Sequence, residues 1–315
     1  MGFNLVNLAI TVRADDIHRF RSCLPQVGQE LAVTCRSALC DWPGRACETC
    51  SGQETCGWHY VFGQKLTSDP TALKRHQKPP LPFVLSFPVL DRSSETNADI
   101  EFGLVVIGPA LSQLEMLLNG LAELLSARSF YLTHIACRDY QGSVHHAVDA
   151  RRRVRSGKLA PDNLVITSTE GLLESRVWDS SKLNIRMLSP LRLLENGHPA
   201  TRFEFGRFAR SVMRRVSSLA YYYGESEFDC DFKELSRLVD NVICTDDHFT
   251  YHNVKDRRCS GVVGYGSFSG DFSRLMPFLV IGSYVHTGKS SSFGMGTYEV
   301  YPEAASANQY QVNLS

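Results

Sequence analysis

Residues 100–138, IEFGLVVIGPALSQLEMLLNGLAELLSARSFYLTHIACR, read as strand, helix, strand. Residues 100–107 form a short apolar run of strand length. Pro109 then stands where a first helical turn tolerates a missing N–H, and Leu111, Leu114, Leu118, Leu121 and Leu125 recur at intervals of three and four. That spacing places the leucines on one helical face. Residues 131–138 return to a strand.

Working outward, residues 82–89 supply another apolar strand, which pairs with 100–107. Residues 3–12 form the first strand, with Leu8, Ile10 and Val12 alternating onto one face. Asp15 or Asp16 caps a helix striped by Ile17, Phe20 and Leu24. Pro25 is expected to interrupt it, with a second helical piece over residues 29–39. The order is βαββαβ, the split βαβ arrangement of a ferredoxin-like domain, with an antiparallel sheet and two helices on one face. The C-terminal half repeats it, with strands at 183–194, 249–254, 261–268 and 295–300 and helices at 203–222 and 272–284.

The expected fold class is α+β, two tandem ferredoxin-like domains at residues 1–138 and 163–302, followed by a tail at 303–315. Residues 35–80, a Cys-rich insertion, and residues 139–162, a helical or basic finger, belong to neither core by pattern. Function often sits in such segments.

The chain has 315 residues, 43% hydrophobic and 21% charged, with 33 basic and 33 acidic side chains. This is a globular composition whose zero net charge excludes a uniformly basic nucleic-acid coat. No apolar run reaches the roughly 18 residues of a membrane span, and the N-terminus lacks a secretory layout. A cytoplasmic protein with no membrane partner is expected. RNA contact must then come from local clusters. Arg151, Arg152, Arg153, Arg155 and Lys158 make one, read either as an RNA-gripping finger or as a solvated charge run. Arg207, Arg210, Arg214 and Arg215 lie near one side of the helix at 203–222, where they flank an RNA stem or form an ordinary outer face.

Residues 286–296, His-Thr-Gly-Lys-Ser-Ser-Ser-Phe-Gly-Met-Gly, lack bulky side chains almost throughout. Such a loop lets backbone amides approach a phosphate closely, while serine hydroxyls and Lys289 add donors and charge. A Walker A loop needs four residues before its Gly-Lys-Ser, whereas Gly282 and Gly288 enclose five. The alternative of a bland flexible turn is disfavoured by the position just before a terminal strand.

At residues 276–300, MPFLVIGSYVHTGKSSSFGMGTYEV, the chain resembles the C-terminal signature of the RAMP proteins, specifically the CRISPR repeat-processing endoribonucleases. Residues 188–193 with Pro190, the Arg-rich helix at 210–219, and residues 261–270 fall in that family's order. The neutral charge and the Cys cluster point to a divergent branch, such as that of type IV systems. The resemblance implies tandem ferredoxin-like domains and CRISPR repeat RNA, the crRNA hairpin, as substrate. It also implies that the cut RNA passes into an effector complex with other subunits. By this reading Gly288, Lys289, Ser290, Ser291, Ser292, Phe293 and Gly294 contact RNA, as do the cations at 151–158 together with Arg210 and Arg214. The alternative is a non-catalytic RNA-binding subunit of a CRISPR complex.

Metal-independent cleavage uses the ribose 2′-hydroxyl as nucleophile and leaves a cyclic phosphate and a 5′-hydroxyl. It needs a proton acceptor, a proton donor and charge stabilisation. In the resembled family the catalytic residue lies on or just after the first helix. That region offers His18, Arg21 and Arg36, of which only His18 titrates near neutrality. His145 and His146, beside the basic finger, are secondary candidates. No catalytic cofactor is expected. Cys40, Cys47, Cys50 and Cys56 stand as C-x6-C-x2-C-x5-C, half of a zinc-knuckle pattern, which leaves structural zinc open beside reduced thiols.

Overall fold

The structure is a computed structural model. It describes residues 2–301 except 41, 43, 77, 88–97, 176–178, 225–226, 229 and 255–258, and the backbone alone at 17, 18, 21–25 and 29.

Strand β1 (Asn4–Ala14) buries Val6, Leu8, Ile10 and Val12 on one face, as its alternation requires. Helix α1 (Ile17–Leu39) is continuous through Pro25, against the expected break. Phe20, Val27, Leu31 and Cys35 are sunk in the core below it. Burying each large apolar side chain contributes about 1.5–3 kcal/mol. Together these offset the roughly 3 kcal/mol that an interior proline costs a helix.

Short helices α2 (Gly57–Phe62) and α3 (Pro70–Arg75) precede β2 (Phe83–Ser86) and β3 (Ala98–Ile107). A 3₁₀ turn, Gly108–Gln113, takes the first leucine of the predicted stripe, and α4 (Leu114–Ser126) the rest. Strand β4 (Tyr131–Arg138) completes a sheet ordered β2-β3-β1-β4, antiparallel throughout, with α1 and α4 packed on each other over the core.

Residues 139–162 are part of this unit rather than a finger outside it. Strand β5 (Val144–Asp149) extends the sheet beyond β4, and α5 (Ala150–Arg153) follows; Ala150 and Leu159 are fully buried in the first core. Strand β6 (Ile166–Ser168) also pairs with β1 and leads into α6 (Thr169–Glu174). The insertion at 35–80 is likewise anchored, since Val61 and Ala72 are buried and Trp58 and Phe62 pack on the first core.

The second unit comprises β7 (Lys182–Leu191), the hairpin β8 (Leu194–Glu195) and β9 (His198–Pro199), α7 (Phe205–Tyr223), α8 (Phe232–Asp240), β10 (Ile243–Asp247), β11 (Thr250–His252), β12 (Gly261–Ser269), α9 (Met276–Val285) and β13 (Tyr298–Tyr301). Its order, β10-β12-β7-β13, is the permutation of the first sheet, so the duplicated βαββαβ plan holds. The predicted strand at 249–254 is only partly realised: β10 forms the edge and β11 pairs farther along β12. Helix α8 was not anticipated. Asp231 caps it by accepting from the amides of Lys233 and Glu234, while Leu235 and Val239 turn inward.

The units share an apolar core, in which Leu5, Val84, Val105 and Ile107 of the first sheet pack with α7 and α9, and two polar joints add to it. Tyr221, Tyr222 and Tyr223 of α7 meet the insertion: Tyr222 Oη donates to His76 O (2.9 Å), and Tyr223 Oη donates to Pro80 O (2.8 Å). The larger joint is the loop between α9 and β13. Leu85 N on β2 donates to Ser292 O (3.0 Å), and the Phe293 ring lies 5.9 Å from Phe83. Beneath the loop, Arg215 of α7 donates to Val285 O (2.7 Å) and Ser292 Oγ (3.1 Å). His286 is 2% exposed, its Nδ1 between Ser291 O (3.3 Å) and Thr297 Oγ1 (3.2 Å).

Gly28, inside α1, faces the Phe293 ring so closely that an added Cβ would lie 2.4 Å from it. Gly28→Ala gains about 0.8–1 kcal/mol at an exposed helical site. Here it should destabilise by about 1–3 kcal/mol through overpacking. Denaturant melts should show the loss, and Phe293→Ala, itself destabilising, should remove the penalty in a double-mutant cycle.

Burial, reinforced by Arg215, pushes His286 down to about 3. Folded His286 is therefore neutral while its unfolded counterpart protonates near pH 6.5. The unfolded state binds the extra proton between those values, so stability falls as pH drops, by up to about 1.4 kcal/mol per unit. His286→Gln should flatten that slope in melts between pH 4 and 7.

Candidate nucleic-acid interface

The loop at 286–297 divides into an inner wall and an outer tip. Ser291 and Ser292 are buried at 4% and 6% exposure, Ser292 Oγ accepts a hydrogen bond from Arg215, and Phe293 is wedged against the first unit. At the tip, Lys289 and Ser290 are exposed. Gly288 (φ +85°) and Ser290 (φ +60°) are left-handed on either side of Lys289, whose amide donates to Arg192 O (2.9 Å). The amides of Gly288, Ser290 and Ser291 have no acceptor among the described residues. Alternation of hand turns successive amides toward a common concavity that suits an anion. A Cβ on Gly288 would meet Arg192 O at 2.7 Å, so glycine is required there on two counts.

A cleft runs from this loop between the two sheets, walled by Leu188, His286 and Thr297 on one side and Asn7, Ser86 and Val105 on the other. It reaches Tyr284 and Ser175. A second groove also lined by Ser175 carries the surface on to Asp139, Tyr140 and His145, where Tyr284 Oη donates to Tyr140 O (3.4 Å).

Beyond β5 stand Arg151, Arg152, Arg155 and Lys158, all exposed, with the Arg152 side chain 88% accessible. Arg153 is set apart from them: it binds Asp162 (2.7 Å) and Ala160 O (3.1 Å). The arginines of α7 are similarly engaged. Arg207 pairs with Glu195 and Glu204, Arg210 with Asp240 and Ser236, and Arg214 Nε donates to Arg210 O (3.3 Å). Arg215 leaves that row and lies under the loop, an assignment its sequence position did not suggest.

His18 and Arg21 lie on α1, with side chains outside the described residues. Arg36, in its last turn, donates to Arg45 O (2.6 Å) and lies 5.5 Å over the Trp58 ring, within the insertion. Nearby, partial burial pushes the Cys47 thiol up, Arg36 pulls it down, and Cys40 and Cys56 add smaller upward pushes. Among the described residues no three His, Cys, Asp or Glu side chains gather as a metal site. Cys35 belongs to the core instead, its thiol pushed up to about 12 by burial.

Residues 185–298 match the family model of the CRISPR-associated endoribonuclease Cas6, and residues 30–148 match a model described as an N-terminal domain. A search of curated proteins gave no match. Among solved structures, a Cas6 product complex has a TM-score of 0.53 at 14% identity, covering 94% of this chain and 100% of its own. Thermus thermophilus Cas6 gives 0.52 at 11% identity over 96% and 100%. A partial Cas6-RT-Cas1–Cas2 complex gives 0.53 at 13% identity, with 97% of this chain and 47% of that one covered. At such identities these structures establish the fold. The second unit thus matches the model of the CRISPR-associated endoribonuclease Cas6, and the tandem fold of the solved Cas6 structures runs along nearly the whole chain.

Proposed function

We propose that this chain binds CRISPR repeat RNA and cuts it by attack of a ribose 2′-hydroxyl on the adjacent phosphate, without a metal ion, and that the cut RNA stays bound for an effector complex. The observation that carries the reading is the loop tip: two left-handed residues flanking exposed Lys289, with amides unpartnered among the described residues, in a loop whose ends at His286 and Thr297 line a cleft between two sheets. A phosphate there meets fixed donors that need no rearrangement. Arg151, Arg152, Arg155 and Lys158 would grip the backbone farther along, since this exposed cluster of cations, of which Arg152 lies 3.6 Å from Asp149, keeps positive charge that attracts RNA over a Debye length. The solved product complex of a similar fold supports an RNA-cutting role, and the Cas6-RT-Cas1–Cas2 assembly supports protein partners from CRISPR systems.

The nucleophile is supplied by the RNA, so the protein has to position the phosphate, move two protons and stabilise charge. Lys289 and the tip amides do the first. Arg21 would stabilise the phosphorane, and His18 on the same helix is the imidazole the family likeness points to. The engagement of Arg36 with Trp58 and Arg45 favours a supporting part for it in the insertion.

Purified chain incubated with repeat RNA in EDTA should yield a fragment ending in a 2′,3′-cyclic phosphate and another beginning with a 5′-hydroxyl. RNA that is bound yet stays intact would identify a non-catalytic subunit. Lys289→Ala should weaken binding across repeat sequences alike and reduce the slope of log affinity against log salt by about 0.7–0.9, one phosphate contact. Joint replacement of Arg151, Arg152 and Arg155 by alanine should reduce it by about 2–3.

A further inference from the structure

We propose that Arg192 grips the RNA phosphate next to the one held at Lys289, an inference that rests on the RNA-binding reading of the loop tip above. The main chain at residue 192 is fixed from both sides. Strand β7 ends at Leu191, and the loop runs back along that end: Gly296 N donates to Pro190 O (3.0 Å), and Lys289 N donates to Arg192 O (2.9 Å). Beyond it, Ala200 N donates to Leu193 O (2.9 Å), and the hairpin β8–β9 is tied to α7 by the ion pair of Glu195 with Arg207. Residue 192 thus stands one backbone hydrogen bond from Lys289. An added Cβ on Gly288 would lie 2.7 Å from Arg192 O, so the tip and this stretch of chain are in direct contact.

The side chain is held by nothing comparable. Arg192 is half-buried, and its Nε is out of contact with water and without an acceptor among the described residues. Its guanidinium makes no ion pair among them either. Other arginines of the second unit are matched: Arg186 pairs with Glu299, Arg207 with Glu195 and Arg210 with Asp240. A cationic N–H removed from water without an acceptor has lost its hydration and gained no bond in return. Such a group calls for a partner from outside the fold. Turning onto an incoming anion costs Arg192 no hydrogen bond that it makes among the described residues.

The anion that suits it is a phosphodiester. A guanidinium presents parallel N–H donors that match the two non-bridging oxygens of a phosphate, whereas lysine acts as a point charge. At the tip, left-handed Gly288 and Ser290 turn amides toward a common concavity, so a phosphate bound there engages its oxygens with those amides and with Lys289. The fork of Arg192 therefore takes the adjoining phosphate along the strand. Two neighbouring phosphates, one on the rigid loop and one on an arginine anchored beside it, fix the register and the direction of the strand together.

The test is binding of repeat RNA by the full chain over a range of salt, with melting followed alongside. Arg192→Met keeps the apolar stem and removes the donors. It should weaken binding at least about tenfold, lower the slope of log affinity against log salt by about 0.7–0.9, and leave the melting temperature unchanged or higher, since no bond of the fold is lost. With Lys289→Ala added, the slope should fall by about 1.4–1.8 in all, two phosphates. Arg192→Lys should retain the wild-type slope yet bind more weakly, its charge kept and its fork lost. Wild-type affinity and slope in Arg192→Met, or weaker binding accompanied by a lowered melting temperature, would overturn the role of Arg192, while weakened binding by Lys289→Ala would leave the loop-tip reading standing. No binding of repeat RNA by the wild-type chain, or binding that Lys289→Ala does not alter, would instead overturn that reading, and this inference with it.

Discussion

The contact of Ser292 and Phe293 with β2 and α1 governs the molecule. One backbone hydrogen bond from Leu85 and one ring seated against Gly28 and Phe83 lock the facing of two sheets that already share a core through Leu5, Val84, Val105 and Ile107. The width of the cleft and the attitude of the loop tip follow from that. Arg215 secures the same loop from below through a carbonyl and a hydroxyl, and its removal from water pushes its guanidinium down to about 10. A charge so placed is tolerable only while both acceptors are kept. The loop is therefore a hinge pin as well as the binding element that we propose. Its buried inner half holds its exposed outer half rigid, and rigid donors are what a developing phosphorane charge requires.

Much of the fold was legible because its strongest signals are local. The leucine spacing from 111 to 125 and the alternation of Leu8, Ile10 and Val12 each need only their own neighbours to be read, and the strand formed where expected while the helix took all but its first leucine. Pro25 misled because a local rule was outweighed by distant burial under α1. The segment Val-His-His-Ala-Val-Asp at 144–149 escaped because its exposed residues do not alternate cleanly, and it is a strand by virtue of lying beside β4. Helix α8 had a usable signal, an acidic cap at Asp231 with Glu234 three residues on, ahead of Leu235 and Val239.

The site was legible in kind rather than in detail. Its glycines and Lys289 marked the loop that we propose faces phosphate. Nothing local told that Ser292 would turn inward, because its partners Arg215 and Leu85 are far away in sequence. The basic residues show the same limit. Arg152 and Arg153 are adjacent, yet one is 88% exposed with only a loose pairing to Asp149 at 3.6 Å and the other is bound to Asp162 at 2.7 Å, a difference fixed by how the chain folds back after α5. Charge counts locate a positive segment. Ion pairing decides which of its members have charge left to offer.

The loop tip links fold to function, and amide hydrogen exchange followed with and without repeat RNA tests that link most directly. Slowed exchange at Gly288, Ser290 and Ser291 on RNA binding, against a joint at Leu85 already protected in the free protein, is the outcome the structure predicts. RNA that binds while those three amides exchange as before would contradict it.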